Sequence, residues 1–471
     1  MFEIRSKNVR MGFFVILCLL FVLPVGWILT MKLEGEKPAV NLDLPYPAIG
    51  SDRDIPLSVA DARSGLRRIW VGLVRNDREF VFFEKDFSSG NFFGFGKVRK
   101  ESFNIRIRPR EKGITDGKAL LRVIVTDLSW RRWWNGNKTL IEKEISVDTR
   151  APAVDVLSNV HNIIQGGASF VIYKLSEPCS ENGVLVGDNF FPAYPARKAF
   201  GSQYPDCFMA FFALGHDQGR DSEIVIKAVD HAGNITRRNF RIFVGKKRVK
   251  KDTIKISDRF LSRKMPEFDV GSMLPEISEG PPLPDQAEKF LTINRKLREA
   301  NFRSFVELAK KTEPVFYWDS KRFLSLPKSK RMAGFAEYRE YKYGGRTIDR
   351  QFHMGVDQAS VSNAPVLAAN RGKVLFAGRM GIYGRTIVID HGLGLLSIYA
   401  HLSRFDVDQG EVVSKKQTIG LTGQSGLAGG DHLHFSILLH NTFVNPMEWW
   451  DPRWVRNNIS KKINAVKKTG R

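Results

Sequence analysis

The first pattern along the chain is a charge-free run. Residues 11–31 hold 21 positions without a charge, among them Phe13, Phe14, Val15, Ile16, Leu17, Leu19, Leu20, Phe21 and Val22. About 20 apolar residues cross a bilayer as a helix, and Pro24 and Gly26 are tolerated inside such a helix. Residues 32–50 then read as a Pro-containing linker. From 51 to 148 the pattern changes to short apolar-polar ladders, such as 68–74 and 121–125, with no long amphipathic helix between them. Several short alternating strands with turn signals predict a β-sandwich. A second such unit covers 149–246 and closes with strands at 223–229 and 238–244. Residues 247–284 read as a second linker, with a basic run at 246–251 and a Pro-, Gly- and acid-rich stretch at 276–284. Ala287, Phe290, Leu291, Leu297, Ala300, Phe302, Phe305, Val306 and Leu308 recur at helical spacing, so a helical hairpin is expected over 285–314, bounded by Pro284 and Pro314. Residues 315–452 return to short Gly-punctuated strands about ten residues apart, the mark of a compact antiparallel β-fold. A basic tail, 453–471, ends the chain.

Composition narrows the setting. The 471 residues suit about three domains, and 43% hydrophobic with 26% charged residues is ordinary for globular protein. Lys and Arg number 73 against 50 Asp and Glu, a net charge of +23, which attracts nucleic acid, a membrane surface or an acidic wall polymer. Arg5, Lys7 and Arg10 precede the apolar run, so the N-terminus stays in the cytoplasm and about 440 residues lie outside. That topology excludes nucleic acid as a partner. A cleaved signal peptide would have a shorter apolar region ending in a small-x-small site; Trp27, Ile28, Leu29, Thr30 and Met31 offer none. Cys18 lies in the anchor. Outside it, Cys179 and Cys207 either pair, as an oxidising compartment permits, or remain buried thiols. The turn at Asp230, Gly233 and Asn234 after a strand makes 149–246 similar to bacterial immunoglobulin-like modules. Asp127 and residues 135–137 sit at a comparable place in the first unit, so the two read as a divergent tandem repeat. The aromatic clusters at 91–95 and 130–134 read as core or interdomain packing, with a ligand surface as the alternative.

Three short segments carry candidate chemistry. In Asp431, His432, Leu433, His434, Phe435 the two histidines share a face of a strand while Leu433 and Phe435, followed by Ile437 and Leu439, point into a core. A half-buried strand would thus carry a site on its polar side. His353 and Asp357 are spaced to converge, with Gly355 allowing a sharp turn between them. His401 stands in Tyr399, Ala400, His401, Leu402. Imidazole nitrogen and carboxylate oxygen are zinc donors, and a catalytic zinc keeps three protein ligands and one open position. Isolated histidines at 161, 216, 231 and 440 read as surface or satisfied core, and His391 as a turn residue.

At these residues the sequence resembles the lysostaphin-like, LytM-type zinc metallopeptidases, which cut peptide bridges in bacterial cell walls. The family's His-x-x-x-Asp, Tyr-Ala-His-Leu and His-Leu-His-Phe patterns stand here as His353 to Asp357, Tyr399 to Leu402 and His432 to Phe435, in order. The resemblance implies zinc (Zn2+) held by His353, Asp357 and His434, with His401 and His432 as catalytic histidines. It also implies a mainly β fold: an antiparallel β-sandwich metallopeptidase domain, duplicated hybrid motif-like, with a groove across one sheet. Two immunoglobulin-like modules, a short helical segment and one transmembrane helix precede it. The implied substrate is the peptide part of peptidoglycan, with the D-alanyl to diaminopimelate cross-link as the bond. The implied setting is the inner membrane, single-pass, with the C-terminal part periplasmic, where a regulatory envelope protein is a further candidate partner. Degenerate relatives serve instead as non-catalytic wall-binding scaffolds or activators of other hydrolases; the intact ligand set argues against that alternative. The sequence departs from the family at Ala336, where Gly is usual after Phe335, at Ser436, where Glu is common, and at Asp431, where Pro is common.

Overall fold

The apolar run forms the body of one helix, Phe2–Lys32, whose segment Met11–Lys32 has a mean hydropathy of 2.7 and, Lys32 at its end apart, is not buried by the rest of the chain. The fold is given by a computed structural model that describes residues 2–88, 96–197, 201, 204–271 and 282–469, with side chains between residues 11 and 468. The aromatic cluster at 91–95, most of the acidic stretch at 276–284 and the side chains of Arg5, Lys7 and Arg10 lie outside the described residues. The chain divides into two units: Met1–Pro152 with Val229–Ile235, and Ala153–Ala228 with Thr236–Arg471.

In the first unit, Arg53–Ala60 turns Ile55, Leu57 and Val59 inward, and Gly117–Asp127 does the same with Ala119, Leu121, Val123 and Val125. Such period-two burial is what a sheet covered on one face demands. A three-stranded and a five-stranded sheet share this core. Residues 32–49 are not a linker. Ala39–Leu42 and Ala48–Ile49 join the two sheets, and the charged groups of Lys32 and Glu34 are buried because hydrogen bonds meet them there. The tandem turn signature recurs at the level of bonds. Asp127 accepts from the backbone and side-chain N–H of Asn137 at 2.6 and 2.8 Å, and Asp230 from those of Asn234 at 2.8 and 2.8 Å.

In the second unit, two four-stranded sheets built from residues 154–239 contribute Phe170, Phe211 and Met209 to a core that continues without a break into Trp318, Tyr399, Phe435 and Trp449. Residue 246 is therefore not a boundary in the packing. Cys179 and Cys207 are thiols, on strands of different sheets. The main sheet of the C-terminal part runs Lys330–Ala333, Val356–Ala359, Leu433–Leu439, Leu395–Leu402, Arg385–Asp390, Gly372–Arg379, Val412–Val413, all antiparallel.

Three expectations for this part fail for one reason: segments read as connectors carry apolar positions that are buried in the two cores of this unit. The stretch 247–284 contains the strand Lys251–Lys255, paired with Tyr338–Tyr343, and the helix Asp258–Lys264; Ile256, Leu261 and Met265 are buried. Residues 285–309 form one continuous helical run with a π turn at Ile293–Leu297 instead of a hairpin, because Phe290 and Phe305 must reach the same core as Ile398 and Leu438. The basic tail is helical over Pro452–Val455 and Lys461–Thr469, with a π turn between, and it buries Val455, Ile459, Ile463 and Val466. Consequently Leu433–Leu439 is buried on both faces rather than half-buried.

Glu448 shows how closely the C-terminal part packs against residues 153–228. Its Oε2 accepts from Ala168 N–H at 2.9 Å, and burial pushes its carboxyl up to about 8. A folded-state value above the unfolded one favours the protonated folded form, so this stability is full below about pH 4.5 and is lost as pH rises through about 8. Glu448→Gln is expected to remove that decline, so that wild type loses a few degrees of melting temperature between pH 5 and 8 relative to the variant, a size typical of such a shift. Parallel melting curves across this range contradict the assignment.

Candidate active site

Strand register brings the three segments together. Asp357 is paired with His434, and His434 with Ala400 on its other side. Gly355 does not adopt a left-handed turn; its function is close approach, since a Cβ there would stand 2.5 Å from His434 Nε2 and 2.6 Å from Ser436 Oγ. The result is a buried trio. His353 Nε2 lies 2.9 Å from Asp357 Oδ1 and 3.0 Å from His434 Nδ1, and His434 Nδ1 lies 2.9 Å from the same carboxylate oxygen.

Hydrogen bonds around the trio determine where its protons are. His353 Nδ1 faces the carbonyl oxygen of Gly334 at 2.8 Å, so Nδ1 carries the proton and Nε2 is a lone pair. Ser436 donates to Met354 O at 2.7 Å, which leaves its oxygen to accept from His434 Nε2 at 2.9 Å. His434 Nδ1 is then a lone pair as well. Three acceptors thus face one another with no donor among them, an arrangement that a bound cation relieves. Burial lowers His434 to about 4, so a proton does not fill the gap there at neutral pH. Two imidazole nitrogens and one carboxylate oxygen fit zinc's donor chemistry.

Arg339 is a member of the site that sequence reasoning missed. Its guanidinium donates to Asp357 Oδ2 at 3.0 Å, leaving Oδ1 to the trio. The family-like departures also acquire roles. Ala336 has φ +59°, the left-handed region that glycine adopts without cost, and its N–H donates to His353 O at 2.7 Å. Ser436 sets the tautomer of His434. Asp431 accepts from Ser362 Oγ and Asn363 N–H.

His401 and His432 face the trio from the other side. In a regular strand His401 would share a face with Tyr399, away from His434. A register shift between Arg385 and Ile387 and a φ of +63° at His401 bring it across, so that its ring lies 4.8 Å from that of His432 and 5.8 Å from that of His434. Each is pinned through Nδ1, His401 to Ser425 O and His432 to Gly430 O, both at 2.8 Å. Each Nε2 is thereby an acceptor. Burial, with His432 and His434 beside it, lowers His401 well below the usual imidazole value; His432 Nε2 lies 3.7 Å from Asp357 Oδ1.

The five residues line a cavity of about 410 Å3 whose walls include Ile254, Phe260, Arg339 and Tyr383. The segment read as a linker therefore forms part of the site's rim, where Lys264 Nζ donates to Gln424 O at 2.5 Å. A larger cleft of about 690 Å3 shares Arg298 and Tyr383 with it but contains none of the five. The other histidines stand apart. His161 bonds Ser158 and Arg241, His216 packs on Phe352 and His231 on Tyr46, and His440 occupies a left-handed turn. His391 is not a turn residue but a fully buried one, bonded to Arg371 O and Ser397 Oγ because burial requires both nitrogens to be met.

Residues 351–446 match the profile of peptidase family M23, and this part of the chain is an M23 domain of the LytM type. Over 97 residues it is 38% identical to DD-carboxypeptidase/endopeptidase Mpg of Neisseria meningitidis, covering 21% of this chain and 22% of that protein. Over 137 residues it is 32% identical to peptidoglycan DD-endopeptidase ShyB of Vibrio cholerae, covering 29% and 30%. The chain thus spans less than a third of these relatives' lengths. Among solved structures, a peptidase M23 from Pseudomonas aeruginosa aligns at 18% identity over 61% of this chain and 95% of that one, with a TM-score of 0.38.

If Ser436 fixes the tautomer, Ser436→Ala should weaken zinc binding about 10- to 100-fold, the usual cost of losing a partner behind a ligand. Competition with a chelating dye measures this directly. Unchanged affinity in the variant would remove Ser436 from the account.

Proposed function

We propose that the protein is a membrane-anchored zinc metalloendopeptidase that hydrolyses peptide cross-links of peptidoglycan during cell-wall remodelling. The observation that carries this reading is the convergence of His353 Nε2, His434 Nδ1 and Asp357 Oδ1 as three acceptors within 3.0 Å. The relatives named as peptidoglycan DD-endopeptidases support the substrate, and the apolar helix supports the anchor. Zinc on these three donors would supply Lewis-acid polarisation of the scissile carbonyl and acidify a water at the open position.

His401 is the general base in this scheme, since burial keeps its imidazole neutral and its Nε2 accepting. It takes the proton of the attacking water and returns it to the leaving amine. His432, whose Nε2 lies 3.7 Å from Asp357 Oδ1, is the second catalytic histidine of this scheme and faces the oxygen that gains charge. Arg339 orients Asp357 and offsets its charge. The groove faces the extracytoplasmic side if the helix inserts with its basic end in the cytoplasm, and the cross-link between D-alanine and diaminopimelate is the bond it would meet there. A non-catalytic scaffold gains nothing from buried, unprotonated donors, which is why the enzyme reading is preferred.

Purified full-length protein, loaded with zinc and incubated with Gram-negative peptidoglycan, should release uncross-linked muropeptides detectable by mass spectrometry. His401→Ala should retain its zinc and lose at least about 100-fold in rate, the contribution of a positioned base. Zinc-loaded wild type that releases nothing would favour the scaffold.

A further inference from the structure

The loop at 130–134 is not core packing. Trp133 is 87% and Trp134 63% exposed, and Arg131 and Arg132 beside them are exposed too. Isolated exposed aromatics need no explanation, but these are held outward by the backbone: Arg132, Trp133 and Trp134 have φ of +52°, +58° and +65°. Three consecutive bulky residues in the left-handed region are disfavoured unless the surroundings impose it.

The surroundings are the end of the apolar helix. Trp130 N–H and Ser129 Oγ donate to Lys32 O at 2.7 and 2.9 Å. Arg131 Nε donates to Leu33 O at 2.8 Å, and Lys32 Nζ donates to Leu128 O at 2.8 Å. Arg67 holds the far side of the loop through Trp134 O at 2.8 Å. The carbonyls of Lys32 and Leu33, where the helix ends, are thus met by this loop. The Met11–Lys32 segment is 22 residues long. At about 1.5 Å per residue it extends roughly 33 Å, against a hydrocarbon core of about 30 Å. Lys32 therefore stands at the level of the headgroups, and so does whatever is bonded to it.

We infer that the Trp130 to Trp134 loop is a membrane-docking surface that seats Trp133 and Trp134 in the headgroup region of the bilayer. This inference rests on the anchored reading above. Tryptophan suits that layer because its ring is apolar and its indole N–H polar. Arg131 and Arg132 add attraction to anionic headgroups and can direct their charges to the surface while their stems lie along the acyl boundary. The function of the contact is orientation: with the helix it gives the first sandwich a second point of attachment, so the sandwich cannot swivel about the helix axis.

The test uses the full chain in lipid nanodiscs of phosphatidylethanolamine and phosphatidylglycerol, with or without lipid brominated near the top of its acyl chains. Trp27, inside the span, and Trp130, bonded to the end of the helix, are first replaced by Phe. In this Trp27→Phe, Trp130→Phe protein, bromine should quench up to about two-sevenths of the emission, since two of the seven remaining tryptophans are at the interface. Adding Trp133→Ala and Trp134→Ala should abolish the quenching while the protein still enters the discs. Quenching that survives these replacements, or none in the protein that retains Trp133 and Trp134, overturns the docking surface while leaving the anchor intact. Emission that responds to soluble glycan fragments but not to bromine assigns the loop to a wall contact and also overturns it. Failure of the full chain to enter discs overturns the anchor and the docking surface together.

Discussion

Three hydrogen-bond acceptors forced to within 3.0 Å of each other, with no donor among them, are the constraint on which the C-terminal part depends. An unpaired buried polar group costs on the order of 1–3 kcal/mol, and here three share one small space. The fold meets this by committing every other hydrogen-bonding position of the trio to a fixed partner: Gly334 O for His353, Ser436 for His434, Arg339 for the second oxygen of Asp357. Those partners in turn explain the glycine at 355 and the left-handed alanine at 336, each of which would be a liability elsewhere.

Much of the site was legible in the sequence because its chemistry follows strand periodicity. His432 and His434 are two apart, Leu433 and Phe435 are buried opposite them, and His353 and Asp357 flank a glycine. What could not be read depends on the third dimension. His401 reaches the cavity only through a register shift that breaks period two, Arg339 reaches Asp357 from a strand of another sheet, and the hydroxyl of Ser436 matters because of a carbonyl, that of Met354, from another segment. Arg339 did leave a signal, in that it follows Phe335 and Ala336 at the entry to the domain, but a lone arginine in a basic chain does not stand out.

The fold was read well at the level of class and poorly at the connectors. The alternating strands are present, whereas three segments of mixed charge were taken for linkers or a tail. Each carries an apolar stripe too sparse to stand out in sequence: Ile254, Ile256 and Leu261 in the rim segment, Ile459, Ile463 and Val466 in the last helices, and Leu44 with Ile49 after the N-terminal helix. Burial of polar groups hid them further, since Lys32, Glu34, Lys264 and Lys462 look solvated in sequence and are buried. Lys462, bonded to Phe170 O at 2.7 Å, is lowered by burial to about 7. The same effect conceals how directly the N-terminal helix leads into the first sandwich.

X-ray absorption at the zinc edge on the purified protein bears most directly on the central constraint. The account predicts about one zinc per chain, coordinated by two imidazole nitrogens and light oxygen donors with no sulfur, and its disappearance when His353 and His434 are both replaced by Ala. A protein that binds no zinc at neutral pH, or whose zinc signal is unchanged in that double variant, would contradict it.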